Sequence, residues 1–222
     1  MPMMNVTAQD GFQPGAYVAR PDGAPRGAVV VVQEIFGVNA HIREICDRLA
    51  ADGYVAIAPA IFDRIERDFQ SGYSPAEVEV ARGFIPRLDL DACLTDIDAA
   101  RAQVADAGKV AVVGFCLGGS LAWLAATRLE GIAAASSFYG GMVQKFAGEV
   151  PRCPVQLHYG ADDAGIPASN YSDVHRQHPE AEFHVYENAG HGFNCDHRAS
   201  YQPEAAALAW GRTRDFLQRT IG

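Results

Sequence analysis

At 222 residues the chain can bury a full core, and its composition, 49% apolar, is that of a globular protein. Eighteen basic against 27 acidic side chains leave a formal charge of −9, which argues against nucleic acid and anionic membrane as partners. No run approaches the roughly 18 apolar residues of a membrane helix. The start, Met1-Pro2-Met3-Met4-Asn5, has neither a basic nor an apolar signal region, so a cytoplasmic location is expected. Cys46, Cys93, Cys116, Cys153 and Cys195 make an odd set without a CxxC pair, which fits a reducing compartment.

In chain order, Gly27 to Gln33 is the first strand. Ala28-Val29-Val30-Val31-Val32 is apolar on both faces, as in a parallel sheet covered on both sides. Val38, Ile42, Ile45 and Leu49 recur at helical spacing up to Gly53. Tyr54 to Pro59 is the next strand. From Ala60 to Ser74 the pattern mixes charges, glycine and aromatics, an excursion expected over the active-site end. Helices are expected at Pro75–Phe84 and over Leu90, Leu94, Ile97 and Val104. Strands are expected at 109–114, 132–139, 155–159 and 182–186, with helices over 120–128, 168–178 and 203–219. Alternating strands and helices without repeats or linkers predict one domain of the α/β class over residues 1–222, with a mostly parallel sheet and helices on both faces. Ligands on such sheets bind at the carboxyl ends of the strands.

Four candidates stand there. Gly114-Phe115-Cys116-Leu117-Gly118 follows the strand Val110–Val113 and precedes a helix, the order of a nucleophile elbow, with cysteine at the centre where serine is usual. The flanking glycines remove side chains that would clash on a strained turn. Asp162-Asp163 follows the strand 155–159. His191, between Gly190 and Gly192, follows the strand 182–186. Nucleophile, acid and base in the order Cys116, Asp163, His191 is the order of the α/β-hydrolase fold. A thiolate attacks, an imidazole moves protons near neutral pH, and a carboxylate orients the imidazole. Asp163 is preferred to Asp162 because Ile166-Pro167 follows it and starts the next helix. Glu34 ends the first buried strand, where a carboxylate is costly unless paired. It escapes to solvent or lies near Cys116 and controls its protonation.

The chain resembles the dienelactone hydrolase (carboxymethylenebutenolidase) family of the α/β-hydrolase fold over nearly its whole length. The matching segments are Gln33 to Asn39, Gly114 to Gly119, Phe138-Tyr139-Gly140, the Gly160 to Pro167 turn and Ala189 to Phe193. The resemblance implies Cys116 as nucleophile, His191 as base and acid, Asp163 as orienter and Glu34 as a group acting on the thiol. It also implies an oxyanion hole from the backbone N–H groups of Ile35 and Leu117, with Tyr139 and Phe36 lining the pocket. No cofactor or metal is implied, and the expected partner is a small lactone or ester, the protein being a monomer or small homo-oligomer. Family members that act on dienelactone hold its carboxylate with arginines, one of them four residues after the histidine. That position is Cys195 here, and the nearest arginine is Arg198; for the other, from the helix after the excursion, Arg82 is the candidate, preceded by Arg64 and Arg67.

Three other readings compete. A carboxylesterase or thioesterase would use the same cysteine on another substrate. A redox sensor or ligand-binding protein would oxidise Cys116 instead of acylating it. A metal site from His191, Cys195 and His197 is disfavoured because His191 already has a role and no second ligand pair with zinc-like spacing exists.

Overall fold

A computed structural model describes residues 3–222. Eight strands form one sheet in the order β1-β2-β4-β3-β5-β6-β7-β8. They are β1 (Met4–Asn5), β2 (Gly15–Ala19), β3 (Ala28–Val32), β4 (Val55–Pro59), β5 (Val110–Phe115), β6 (Ile132–Phe138), β7 (Val155–Gly160) and β8 (Glu182–Tyr186). From β4 through β8 all neighbours run parallel, while β1 and β2 add an antiparallel edge. This is the mostly parallel sheet of the α/β-hydrolase fold that the elbow and the residue order predict.

The helices are α1 (Ala40–Ala51), α2 (Pro75–Arg82), α3 (Leu90–Gln103), α4 (Leu117–Arg128), α5 (Ala168–Gln177) and α6 (Pro203–Ile221). Helix α1 packs on β2, β3 and β4, α3 lies beside α4 over β3 to β6, and α6 covers β5 to β7. Every residue of β3, β4 and β5 is buried, which is why these segments are continuous apolar runs instead of alternating ones. Caps fix the helix starts: Asn39 accepts from Ile42 N–H at the head of α1, and Ser74 with Glu77 forms a capping box at the head of α2.

Two strands escaped the sequence pattern. β2 is five residues long and buried throughout, so it shows no alternation, and Pro14 and Pro21 near it suggest a loop. It is nonetheless tied to β4 from Ala16↔Pro59 to Ala19↔Ala56. β1 has only two residues, too few for any period.

The irregular excursion after β4 is an ordered strap. Its first turn, Ile61–Arg64, is a short 3₁₀ helix. Asp63 accepts from the N–H groups of Gly15 and Asp68, and Gly37 bridges to Gln70. Arg64 is the anchor: Nε and Nη2 donate to both oxygens of the fully buried Asp96 on α3, at 2.8 and 2.7 Å, and Nη1 reaches Asp10 at 2.7 Å. Breaking one side of a buried pair leaves an uncompensated charge. Arg64→Ala should therefore lower the unfolding free energy by about 3–5 kcal/mol in a urea titration. A change below about 0.5 kcal/mol, the range of an ordinary surface substitution, would show that the strap is not held by this pair.

Candidate active site

Each candidate group leaves the carboxyl end of a strand. The end of β5 turns sharply into α4, and Cys116 takes φ 55° and ψ −112°, a conformation a non-glycine residue rarely adopts. Two glycines permit the turn. A Cβ on Gly114 would strike the carbonyl of Gly118, and one on Gly118 would strike the carbonyls of Val32 and Gln33 at the end of β3. The contact is also bonded, since Gly118 N–H donates to Gln33 O at 3.0 Å and Cys116 N–H to Phe138 O at 2.9 Å. The cysteine is thereby fixed against the ends of two neighbouring strands.

His191 and Asp163 arrive from the loops after β8 and β7. His191 Nε2 lies 3.1 Å from Cys116 Sγ, and its Nδ1 lies 2.7 Å from Asp163 Oδ2. A carboxylate accepts, so Nδ1 carries the hydrogen and Nε2 faces the sulfur. Asp163 is buried and its other oxygen accepts from Gly165 N–H at 2.9 Å, whereas Asp162 is exposed. Of the two aspartates it is Asp163, and not its neighbour, that meets the imidazole. Burial alone would push the imidazole down, but its bonds to Asp163 and Cys116 outweigh that and raise it to about 10.

The N–H of Leu117 is the first of α4 and has no acceptor inside the helix. Among the described residues neither it nor the N–H of Ile35 has a backbone or side-chain acceptor. Both residues line a cleft of about 130 Å³ over Cys116 and His191, together with Ile85 and Met142. A larger cavity, about 280 Å³, lies among Arg26, Asp52 and Arg214 at the amino-terminal end of the sheet, and no cysteine or histidine lines it.

Glu34 does not escape to solvent: it is 1% exposed. Nor is the thiol its partner. Arg198 Nη1 donates to Glu34 Oε1 at 3.0 Å, with the guanidinium 5.4 Å from the Phe36 ring centre and 5.7 Å from that of Tyr73. Burial pushes the Glu34 carboxyl up, while Arg198 and, less strongly, His191 pull it back. Arg198 is therefore occupied with a protein carboxylate. The other candidate arginines do not line the cleft either: Arg82 is exposed on the last turn of α2, Arg64 holds Asp96, and Arg67 donates to Gln13 O at 3.0 Å.

Tyr139 and Phe36 sit behind the cleft instead of lining it. Tyr139 is fully buried, and its ring backs His191 at 5.1 Å. Phe36 packs edge-on against Tyr73 at 4.7 Å. The three metal-type residues disperse as well. Cys195 Sγ donates to Tyr73 Oη at 3.4 Å, His197 Nε2 meets Glu44 at 2.9 Å, and His191 is engaged as above. Cys195 instead converges with Glu34 and His41, and Arg198 supplies the positive charge beside that group. Sequence reasoning missed Tyr73, Ile85 and Met142. The first two lie between β4 and α3, where no period assigns a direction to a side chain, and Met142 lies in the turn after β6.

The profile of the dienelactone hydrolase family matches residues 15–221. A carboxymethylenebutenolidase of Pseudomonas putida is 34% identical over 224 residues, covering 96% of this chain and 94% of its own. A crystal structure of a Klebsiella pneumoniae protein assigned to the dienelactone hydrolases superimposes with a TM-score of 0.88 at 33% identity, covering 98% of both chains. A dienelactone hydrolase-like promiscuous phosphotriesterase from metagenomic libraries gives a TM-score of 0.79 at 25% identity, covering 100% of this chain and 99% of its own.

The raised imidazole has two measurable consequences. Its folded value lies above the ordinary 6.5, so its contribution to stability is complete below that pH and is lost as pH rises through about 10. Asp163→Asn should move the His191 titration down from about 10 toward 6.5, seen in the ring-proton NMR shifts. A titration that stays in place would remove Asp163 as the group that holds the charge.

Proposed function

Because the chain belongs to the dienelactone hydrolase family, we propose that Cys116 is its nucleophile and that it opens a lactone or cleaves a carboxylic ester through an acyl-enzyme. The observation that carries this reading is the unbroken line from Cys116 Sγ to His191 at 3.1 Å and on to Asp163 at 2.7 Å, beneath two backbone N–H groups with no acceptor.

The thiol gives its proton to His191 Nε2, and Asp163 holds the imidazolium that results. The thiolate attacks the carbonyl carbon and the carbonyl oxygen takes the electron pair. Ile35 N–H and Leu117 N–H donate to that oxyanion, and each such donor is worth about 3–4 kcal/mol in the transition state. The C–O bond to the ring or alcohol oxygen breaks, His191 returns the proton to that oxygen, and a thioester on Cys116 remains. His191, now neutral, takes a proton from water as the water attacks the thioester. Collapse releases the carboxylic acid and restores the thiolate–imidazolium pair. Every proton passes through Nε2, so a single imidazole serves both halves.

Glu34 acts at one remove. It is held by Arg198, and His191 lies close enough to pull its carboxyl down as well. The 130 Å³ cleft supports a small-molecule substrate. A peroxide sensor would need neither Asp163 nor the two unengaged N–H groups.

Purified protein should hydrolyse p-nitrophenyl acetate with a first-turnover burst, and mass spectrometry should find one acetyl group on the peptide containing Cys116. Cys116→Ala should abolish turnover with unchanged circular dichroism, and His191→Ala should lower kcat/KM by about 10⁴-fold or more. Full activity in Cys116→Ala, or label on another residue, would sink the assignment.

A further inference from the structure

We infer that a divalent transition-metal ion of the zinc class binds beside the first turns of α1, held by His41 and Glu44 of that helix and by Asp196 and His197 of the turn that follows His191. None of these four residues lines the cleft over Cys116, so the site stands apart from the hydrolase chemistry. His41 and Glu44 are three residues apart on α1 and share one face of it. Asp196 and His197 are carried to that face by a tight turn, in which Cys195 N–H donates to Gly192 O and Arg198 N–H to Cys195 O. Glu44, Asp196 and His197 each bring one ligand atom within 4.8 Å of the others.

The observation that points to an ion is His41. Its ring is 0% exposed, and neither ring nitrogen has a hydrogen-bond partner. Buried polar atoms nearly always have one, so this imidazole lacks a partner that the protein itself does not supply. Its Nε2 lies 3.9 Å from Asp196 Oδ1, and the same oxygen lies 3.9 Å from His197 Nε2. These gaps are too long for hydrogen bonds. Four ligands at roughly 2.0–2.1 Å around a tetrahedral ion stand about 3.4 Å from one another. The two 3.9 Å gaps and the 2.9 Å between His197 Nε2 and Glu44 Oε2 bracket that spacing. The two imidazoles are 5.7 Å apart centre to centre, and Phe115 packs edge-on against the His41 ring at 6.0 Å.

The charges suit a cation. Arg48 Nη2 donates to Asp196 Oδ2 at 2.6 Å, which leaves Oδ1 to the histidines, and it stays 3.6 Å from Glu44 Oε2. A partner that holds the outer oxygen of a ligating carboxylate fixes its orientation. With neutral imidazoles, two carboxylates against one guanidinium leave a negative charge for the ion to meet. Burial pushes the His41 imidazole down to about 4, so the ring has a lone pair to give at neutral pH. The donor set selects the ion: imidazole nitrogen with carboxylate oxygen suits zinc, nickel and cobalt, whereas magnesium and calcium take oxygen. The ion enters from solvent, because the side chains of Glu44, Asp196 and His197 are all partly exposed. Cys195 and Glu34, which also approach His41, are buried and offer no such entry. Bound there, the ion ties α1 to the turn five and six residues beyond His191.

The test is a calorimetric titration of Zn²⁺ into the Cys116→Ala protein, which lacks the cleft thiol that would compete for the ion. One Zn²⁺ per chain should bind with a Kd of about 10 μM or tighter, and Mg²⁺ should not bind. At 100 times its Kd the zinc should raise Tm by about 5 °C or more. Adding His197→Ala should weaken binding about 100-fold and adding Glu44→Gln about 10-fold, both at partly exposed side chains whose loss the fold tolerates. Co²⁺ in the same site should give visible bands without sulfur-to-cobalt charge transfer, and the ring-nitrogen NMR signals of both His41 and His197 should move when zinc is added. A weaker Kd, an equal response to Mg²⁺, or affinity unchanged by His197→Ala would overturn the site. Sulfur charge transfer would place the ion on Cys195 and overturn it too. Movement of the His197 signals alone would remove His41, and with it the observation on which the site rests.

Discussion

The site depends on one steric constraint: the backbone of the elbow must lie directly on the ends of β3 and β6. Gly118 touches the carbonyls of Val32 and Gln33, and Cys116 N–H bonds to Phe138 O. Only with no side chain at 114 and 118 can the chain come this close. The closeness has three consequences. It places Cys116 at an unusual φ of 55° instead of letting it relax into the helix. It brings the turn after β3, with Glu34 and Ile35, beside the cysteine. It also leaves the first N–H of α4, that of the cleft-lining Leu117, without an acceptor. The strain of about 1–3 kcal/mol is offset by the packing of β3 and β5, buried along their whole length.

The electrostatics follow from having two buried carboxylates near one thiol. Asp163 and Glu34 are 4% and 1% exposed, so each needs a cation. Asp163 has His191, and Glu34 has Arg198. The second pairing leaves the imidazole to the first. Without Arg198, Glu34 would be an unpaired buried charge and would tend to take up a proton. Arg198, an arginine considered for a substrate carboxylate, is thus paired in this structure with the protein's own Glu34.

Much of this was legible in the residues. The parallel core could be read from β3, β4 and β5 because strands buried on both faces leave continuous apolar runs. Cys116, Asp163 and His191 could be read because strand-end chemistry leaves local marks: paired glycines, a residue order, a turn. What could not be read is what acts at long range or without a period. Arg198 and Glu34 are 164 residues apart, and nothing in either neighbourhood announces the other. Tyr139 and Phe36 are aromatic and close to the site in sequence, yet both point inward, because the turns after β6 and β3 fold back onto the sheet. β2 was invisible because five buried residues between proline-containing turns have no alternation to detect.

Cysteine at the elbow places its sulfur 3.1 Å from an imidazole whose titration it helps to set. A serine hydroxyl keeps its proton until attack, so its base must be a neutral imidazole at working pH. Here the imidazole is raised to about 10 by its bonds to Asp163 and Cys116, and it is charged across the neutral range. Part of that rise comes from Cys116 itself, so a serine in its place would leave the imidazole lower. On the proposed mechanism deacylation begins only once the leaving oxygen has taken the proton and His191 is neutral.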